Sequence, residues 1–296
     1  GRNLVESLVN SIPNCSKLEK IDSDVKIRCM VMPNEEISFF EEFSDRIELF
    51  TGNIQSIEDC LGFLNGADGA TLFHTAGIIH PNKIKQFYDI NFEGTKNLLE
   101  ASIKMKLKRF IAVSSNSPIG TNPNEKHLFD EKSPYNPYMN YGKSKMEMEK
   151  IIDFHAQQGD LETVIIRPPW FYGPHQPDRQ ILFFRMIRDG KGPIVGSGNN
   201  LRSMAYVVNI CQGLILAGLS EKAIAQKYWI ADKTPYTMNQ IIDTIENILE
   251  EEFQIACKKT RLKLPSLVSE VAYLSDYVIQ KIGLYNQKVH VLSEMN

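Results

Sequence analysis

The chain has 296 residues, 43% of them hydrophobic and 23% charged, with a formal net charge of -3. These values suit one large α/β domain, or one domain with a smaller lobe, and exclude a chain dominated by disorder. They also lack the basic excess of a nucleic-acid binder, and the densest basic run, residues 258–263, is expected to be a solvated loop.

The chain opens Gly-Arg-Asn-Leu, without an initiator Met or a signal-peptide pattern, directly in a helical pattern over residues 4–9. Strand-length apolar runs follow at residues 25–31, 70–75, 110–114, 163–166 and 228–231. Helical patterns alternate with them at residues 57–64, 84–104, 141–156 and 207–219. Strands separated by helices of this length predict βαβ units and a parallel sheet covered on both faces. Residues 207–219, although very apolar, fall short of the roughly 20 residues of a membrane span and read as a buried helix. Two stretches break the alternation. Residues 173–202 carry several Gly and Pro turns around one helix, and residues after 231 hold two helical patterns, 238–249 and 267–282, with little strand between them. The expected division is a dinucleotide-binding domain of residues 1–172 and 204–231, and a small lobe of residues 173–203 and 232–296. In the last helix Leu267, Val271, Leu274, Val278 and Ile282 form an apolar stripe, expected to pack against the body, with a membrane-surface contact as the alternative.

The cysteines, Cys15, Cys29, Cys60, Cys211 and Cys257, are odd in number, widely spaced and without a Cys-x-x-Cys pair. That argues against a disulfide framework and a zinc site, and for a reducing, cytoplasmic setting. His74 and His80 are six apart without a matching carboxylate pattern, so no metal site is assigned. No Gly-x-Ser-x-Gly elbow or His-Glu-x-x-His helix occurs, so hydrolase and zincin readings fail.

The sharpest chemical signal is Tyr141-Gly142-Lys143-Ser144-Lys145. Tyr141 and Lys145 are four apart and share one helix face. A tyrosine with a pKa of about 10 is a poor base near neutrality. A nearby ammonium favours the phenolate, which makes the pair a usable acid/base for a hydroxyl proton. Tyr-x-x-x-Lys alone is common in helices, and context sharpens it. Upstream, an apolar strand runs into Ser114-Ser115, where a doubly wound sheet binds its ligands. Downstream, Ile165-Ile166-Arg167 is stopped by Pro168-Pro169 and followed by Gly173-Pro174.

With these stretches in hand the chain resembles the extended short-chain dehydrogenase/reductase family, which contains nucleotide-sugar epimerases, 3β-hydroxysteroid dehydrogenases and dihydroflavonol reductases. Thr51-Gly52-Asn53-Ile54 resembles the loop near the adenine, and Phe73-His74-Thr75-Ala76-Gly77 the Ala-Gly loop after the fourth strand. Asn91 to Thr95 resembles the Asn-x-x-Gly-Thr element, and Ser114-Ser115 with Gly120 the serine loop. Tyr141 to Lys145 resembles the catalytic helix, and Arg167 to Pro174 the stretch that closes the cofactor site. The resemblance implies a Rossmann-type doubly wound α/β fold with a small C-terminal substrate lobe. It implies Tyr141 as acid/base, Lys145 as the group that lowers its pKa and binds the nicotinamide ribose, and Ser115 as hydrogen-bond partner of the reacting oxygen. It places Gly1, Asn53, Ile54, Ala76, Gly77, Asn91 and Pro168 at the cofactor, and a homodimer would form through the helices at 84–104 and 141–156. Three departures stand out. The family's first strand and most of its glycine loop are missing upstream of Gly1. Asn53 stands where an Asp is usual. The second strand ends Val31-Met32-Pro33, offering neither an acidic residue for NAD nor an arginine for NADP, so either dinucleotide is admitted, with a lean to NAD.

Three functions follow from this resemblance. The first is hydride transfer between a nicotinamide and a secondary alcohol or ketone, like a 3β-hydroxysteroid dehydrogenase, which the pattern of residues 264–285 supports. The second is a nucleotide-sugar epimerase, dehydratase or reductase, supported by Arg179 and Arg202 as ligands for a phosphorylated substrate. The third is a non-catalytic dinucleotide sensor, disfavoured because the tyrosine–lysine pair is retained.

Overall fold

A computed structural model describes residues 1–10, 25–124, 126–176 and 178–294. Helix α1 (Arg2–Asn10) starts on the Gly1 carbonyl, which accepts from the amides of Leu4 and Val5 at 2.9 and 3.1 Å. The next elements are β1 (Ile27–Val31), α2 (Ser38–Glu41), β2 (Ile47–Thr51), α3 (Ile57–Leu64) and β3 (Thr71–His74). The expected helix over residues 84–104 is α4 (Lys85–Phe87), a π-helical turn (Tyr88–Glu93) and α5 (Gly94–Lys104) in sequence. Then come β4 (Arg109–Val113), α6 (Met139–Gln158), β5 (Glu162–Arg167), β6 (Trp170–Tyr172) and α7 (Asp178–Arg188). The rest is β7 (Gly192–Val195), β8 (Leu201–Arg202), β9 (Met204–Tyr206), α8 (Val207–Leu219), β10 (Gln226–Trp229), β11 (Tyr236–Thr237), α9 (Met238–Glu251), β12 (Arg261–Leu264), α10 (Leu267–Lys281) and α11 (Gln287–Ser293).

Strands β3, β4, β5 and β10 form one parallel sheet in the order β10-β5-β4-β3. Strands β1 and β2 form a separate parallel pair. Side chains alternate across the sheet, as strand geometry requires. On one face Phe110, Ala112 and Ile165 pack with Phe63 of α3, Leu98 and Leu99 of α5, and Met148 and Ile152 of α6. On the other, Ile111, Val164 and Ile166 pack with Leu4 of α1 and Ile210, Leu214 and Ile215 of α8. Helices on both faces of a parallel sheet are the doubly wound architecture the alternation predicts. Ser56 caps α3 by accepting from the Asp59 amide, and Thr237 with Gln240 forms a capping box on α9. Arg109, fully buried, closes the other end of α8: its Nη1 donates to the carbonyls of Ala217, Gly218 and Ser220 at 2.9, 2.9 and 3.0 Å.

The region after β5 has more strand than its sequence suggests. Strands β6 and β9, β7 and β12, and β8 and β11 pair two by two. Pieces of two to four residues are too short for a period-2 pattern to register. The basic run at 258–263 is therefore not wholly a loop: Arg261 opens β12, paired with β7, and its guanidinium meets Glu246 at 2.9 Å. Ile187, Ile194 and Ile242 form a small core that joins α7, β7 and α9.

Helix α10 overturns the packing expected of it. Its buried side chains are Ser269, Ala272, Asp276 and Gln280, while the apolar stripe faces outward, between 55% (Val271) and 68% (Ile282) exposed. Polar contacts fix this orientation. His290 of α11 lies 2.7 Å from Asp276, and Gln280 donates to Asp276 at 2.9 Å and accepts from the Asn140 side chain at 2.9 Å. Burial opposes a charged His290, but hydrogen bonds to Asp276 and Glu294 outweigh it and push its pKa up to about 9. Its folded value thus lies above the unfolded one, near 6.5. The stabilisation is fully present below pH 6.5 and is lost as pH rises through about 9. Parent protein and His290→Gln, melted across this range, should converge in Tm at the alkaline end. A constant gap would show that the ion pair does not hold α11 down.

Candidate functional site

The polar residues singled out by sequence sit mainly at the carboxyl ends of β3, β4 and β5, where a doubly wound sheet presents ligands. Ala76 and Gly77 follow β3, Ser115 follows β4, and the buried Pro168 follows β5. Tyr141 and Lys145 lie on the first turns of α6. Gly1 comes to the end of β3 as well, since a Cβ placed on it would lie 3.6 Å from Thr75 Oγ1.

Lys145 is at the centre. Its side chain is buried and its Nζ donates to the Val113 carbonyl at 3.1 Å. Burial pushes its pKa down to about 8, against the pull of the Glu149 carboxylate one turn on. Gly77 faces this ammonium: an added Cβ would lie 3.3 Å from Lys145 Nζ and 3.1 Å from Asn91 Oδ1. Asn91 sits in the π-helical turn and clamps the loop after β3, accepting from the Ile78 amide at 2.8 Å and donating to the Ile78 carbonyl at 3.0 Å. It also donates to Ser144 Oγ at 3.1 Å, which ties that loop to α6. A π turn widens the backbone enough to aim one side chain out of helical register, a feature frequent at functional sites.

The serine loop is held close to Tyr141 by Gly142. A side chain there would put its Cβ 2.5 Å from the Ser117 carbonyl, so only glycine lets the loop touch the first turn of α6. Ser115 Oγ accepts from the Ser117 amide at 3.2 Å and is largely buried. The Tyr141 ring packs against Phe87 with centroids 5.7 Å apart, and Tyr285 meets Phe87 edge-on at 5.5 Å. Tyr285 is 2.6 Å from His80 Nδ1. His74 has a different role: it is buried, burial and Lys145 push its pKa down to about 3, and its Nε2 is hydrogen-bonded to Thr95 Oγ1 at 2.7 Å.

Other residues lie apart from this centre. Asn53 Oδ1 accepts from the Gln55 amide at 3.0 Å in a local turn, and the Ile54 carbonyl accepts from Asn97 at 2.9 Å. Arg202, on β8, donates through Nη2 to the Glu294 carbonyl at 2.5 Å, and its Nε is buried without a hydrogen-bond partner among the described residues. The Arg179 side chain lies outside the described residues.

Sequence reasoning missed the group directly beneath the site. Glu149 and Arg167 form a fully buried ion pair, Nε–Oε1 at 3.0 Å and Nη2–Oε2 at 2.5 Å. Ser114 donates to Glu149 Oε1 at 2.5 Å, and Tyr135 to Oε2 at 2.9 Å. A signal was present: a carboxylate four residues after Lys145 and an arginine ending an apolar strand each need a buried partner.

The fold is of the Rossmann type, and the candidate site residues gather at the carboxyl edge of its sheet. The chain belongs to the NAD dependent epimerase/dehydratase family, whose profile matches residues 3–231. That family comprises nicotinamide-dependent dehydrogenases, epimerases and dehydratases of the extended short-chain type. An uncharacterized protein of Sinorhizobium fredii, y4nL, is 43% identical over 297 residues, covering 100% of this chain and 82% of that protein. The N-acetyl-alpha-D-glucosaminyl-diphospho-ditrans,octacis-undecaprenol 4-epimerase of Escherichia coli O157:H7 is 33% identical over 56% of this chain and 50% of its own length. The 3beta-hydroxysteroid-dehydrogenase/decarboxylase isoform 1 of Arabidopsis thaliana is 27% identical over 92% of this chain and 63% of its own length. The chain thus spans less than two thirds of these two relatives. The fold matches that of dTDP-glucose 4,6-dehydratase from Bacillus anthracis, solved with NAD, at a TM-score of 0.73 and 22% identity, over 90% of this chain and 80% of that one. Among the described residues no helix is long and apolar enough to cross a membrane.

Proposed function

We propose that this chain transfers hydride between a nicotinamide dinucleotide and a secondary alcohol or ketone, with Tyr141 as the acid/base. The observation that carries the reading is Lys145, whose buried ammonium shares a helix face with Tyr141 and faces Gly77 and Asn91. The donor set suits a ribose. Lys145 has three donors, of which the Val113 carbonyl takes one and the Met148 sulfur weakly engages a second, and Gly77 leaves the approach to it clear of a side chain. A bound dinucleotide supplies the hydride donor or acceptor, and the residues here do the rest. The Lys145 ammonium favours the Tyr141 phenolate, Tyr141 gives or takes the proton at the substrate oxygen, and the Ser115 hydroxyl hydrogen-bonds that oxygen. Gly1, Asn53, Ile54, Ala76, Asn91 and Pro168 would line the dinucleotide, with NAD preferred.

The substrate we favour is neutral and ring-shaped, like that of a 3β-hydroxysteroid dehydrogenase. Tyr285, partly exposed and packed edge-on against the buried Phe87 that backs the Tyr141 ring, offers aromatic surface near the site, and the Arg202 guanidinium is already engaged by the Glu294 carbonyl. One observation favours the second reading, a nucleotide-sugar substrate: among the described residues the buried Arg202 Nε has no partner, and it could serve a phosphate. The two are separated by assaying parent and Arg202→Ala on sterols and on nucleotide sugars. Turnover of sterols with an unchanged KM in the variant is expected. Turnover of nucleotide sugars alone, with KM raised about ten- to a hundredfold by loss of a charge-assisted hydrogen bond, would establish the second reading instead.

A further inference from the structure

Helix α10 presents its apolar side to solvent and its polar side to the protein, the reverse of an ordinary surface helix. The orientation is not a matter of rotation, because Asp276 and Gln280 are held from below by His290 and Asn140. Leu267, Val271, Leu274, Val278 and Ile282 make a continuous exposed stripe. Beside it Tyr273 and Tyr277 are 43% and 50% exposed. A contiguous apolar face of this kind marks an interaction surface.

We propose that the outer face of α10 docks on an anionic lipid bilayer. Charge selects this occupant. Exposed Lys263 precedes the helix, exposed Lys281 ends it, and exposed Lys143 shares with Tyr273, Tyr277 and Lys281 the groove between α6 and α10. Exposed Lys83 bridges to Leu284 just beyond the helix. Glu270 is the exposed acidic residue of α10 itself, so a chain with net charge -3 gathers positive charge around this one apolar face. Leucine and valine in the acyl boundary, tyrosines at the headgroup level and lysines toward anionic lipid are the parts of an interfacial helix. A second copy of the helix suits the face less well. Fifteen residues span about 22 Å, and a contact along a helix about 10 Å wide covers roughly 220 Å² per partner, against the ~800 Å² of a stable interface.

The docking is independent of the reaction assigned above, so its test reads lipid binding rather than turnover. The full chain is sedimented with vesicles of phosphatidylcholine containing phosphatidylglycerol, and with phosphatidylcholine alone. Binding to the anionic vesicles, weakened by salt, is expected. Val271→Glu with Val278→Glu should lower it by about tenfold or more, since each glutamate removes apolar area and adds a charge repelled by the anionic surface. These side chains are exposed, so the melting temperature should hold. If that pair unfolds the protein, Lys263→Glu with Lys281→Glu serves as the second variant, with the same loss expected. No binding by the parent, equal binding by both variants, or a dimer by light scattering that the valine substitutions dissociate would overturn the proposal.

Discussion

Tyr141→Phe should lower turnover by about 10²- to 10⁴-fold while the dinucleotide dissociation constant stays nearly unchanged. The reason is local. The phenylalanine ring keeps the packing against Phe87, where the two centroids are 5.7 Å apart, and α6 keeps its first turn against the Ser117 carbonyl. Only the hydroxyl proposed to exchange a proton with the substrate oxygen is removed. Lys145→Met should behave differently, because under the proposed mechanism it deletes both the charge that favours the phenolate and a donor for the ribose. It should weaken turnover and dinucleotide binding together. Steady-state kinetics with a secondary alcohol and calorimetry with NAD separate the two. Activity of Tyr141→Phe within about tenfold of the parent would remove this tyrosine from the mechanism.

The centre of the doubly wound sheet was legible because β4 and β5 are almost wholly buried and read as apolar runs, whereas the flanking β3 and β10 are only partly buried. Four of the expected runs coincide with β3, β4, β5 and β10 to within two residues. The lobe was less legible, because β8 and β11 are two residues long and exist only by pairing with each other. Residues near Lys145 were named from the Tyr-x-x-x-Lys spacing and from the family resemblance of the stretches around it, whereas the close approach permitted by Gly77 and Gly142 is visible only in the structure. The Glu149–Arg167 pair was missed because a carboxylate on a helix is normally solvated, and nothing in the helical period separates a buried glutamate from an exposed one. The stripe on α10 was visible, but its direction was not. Periodicity locates an apolar face, and only the buried Asp276–His290 contact, fourteen residues apart, tells which way it turns.

The second large effect is on stability, and it falls on that missed pair. Glu149→Ala should lower the unfolding free energy by about 3–5 kcal/mol, the usual result of leaving a buried charge without its partner. Arg167 would keep its guanidinium at 2% side-chain exposure with no carboxylate, and among the described residues its Nη1 already lacks a hydrogen-bond partner. The rings of Tyr135 and Trp229, 5.7 and 5.6 Å from the guanidinium carbon, offer cation–π contact, and the Tyr135 hydroxyl offers a neutral acceptor that does not replace the carboxylate's charge. Ser114 and Tyr135 would lose their acceptor as well. Removing both charges, as Glu149→Ala with Arg167→Met, should cost less than Glu149→Ala alone, because no buried charge is then stranded. Urea titration of parent, single and double variants measures this directly. Because Ser114 adjoins Ser115 and Glu149 stands one turn from Lys145, the single variant should also lose turnover at temperatures where it remains folded. A double variant less stable than Glu149→Ala would show that the pair contributes net stability in its own right, rather than acting as two charges each of which needs the other.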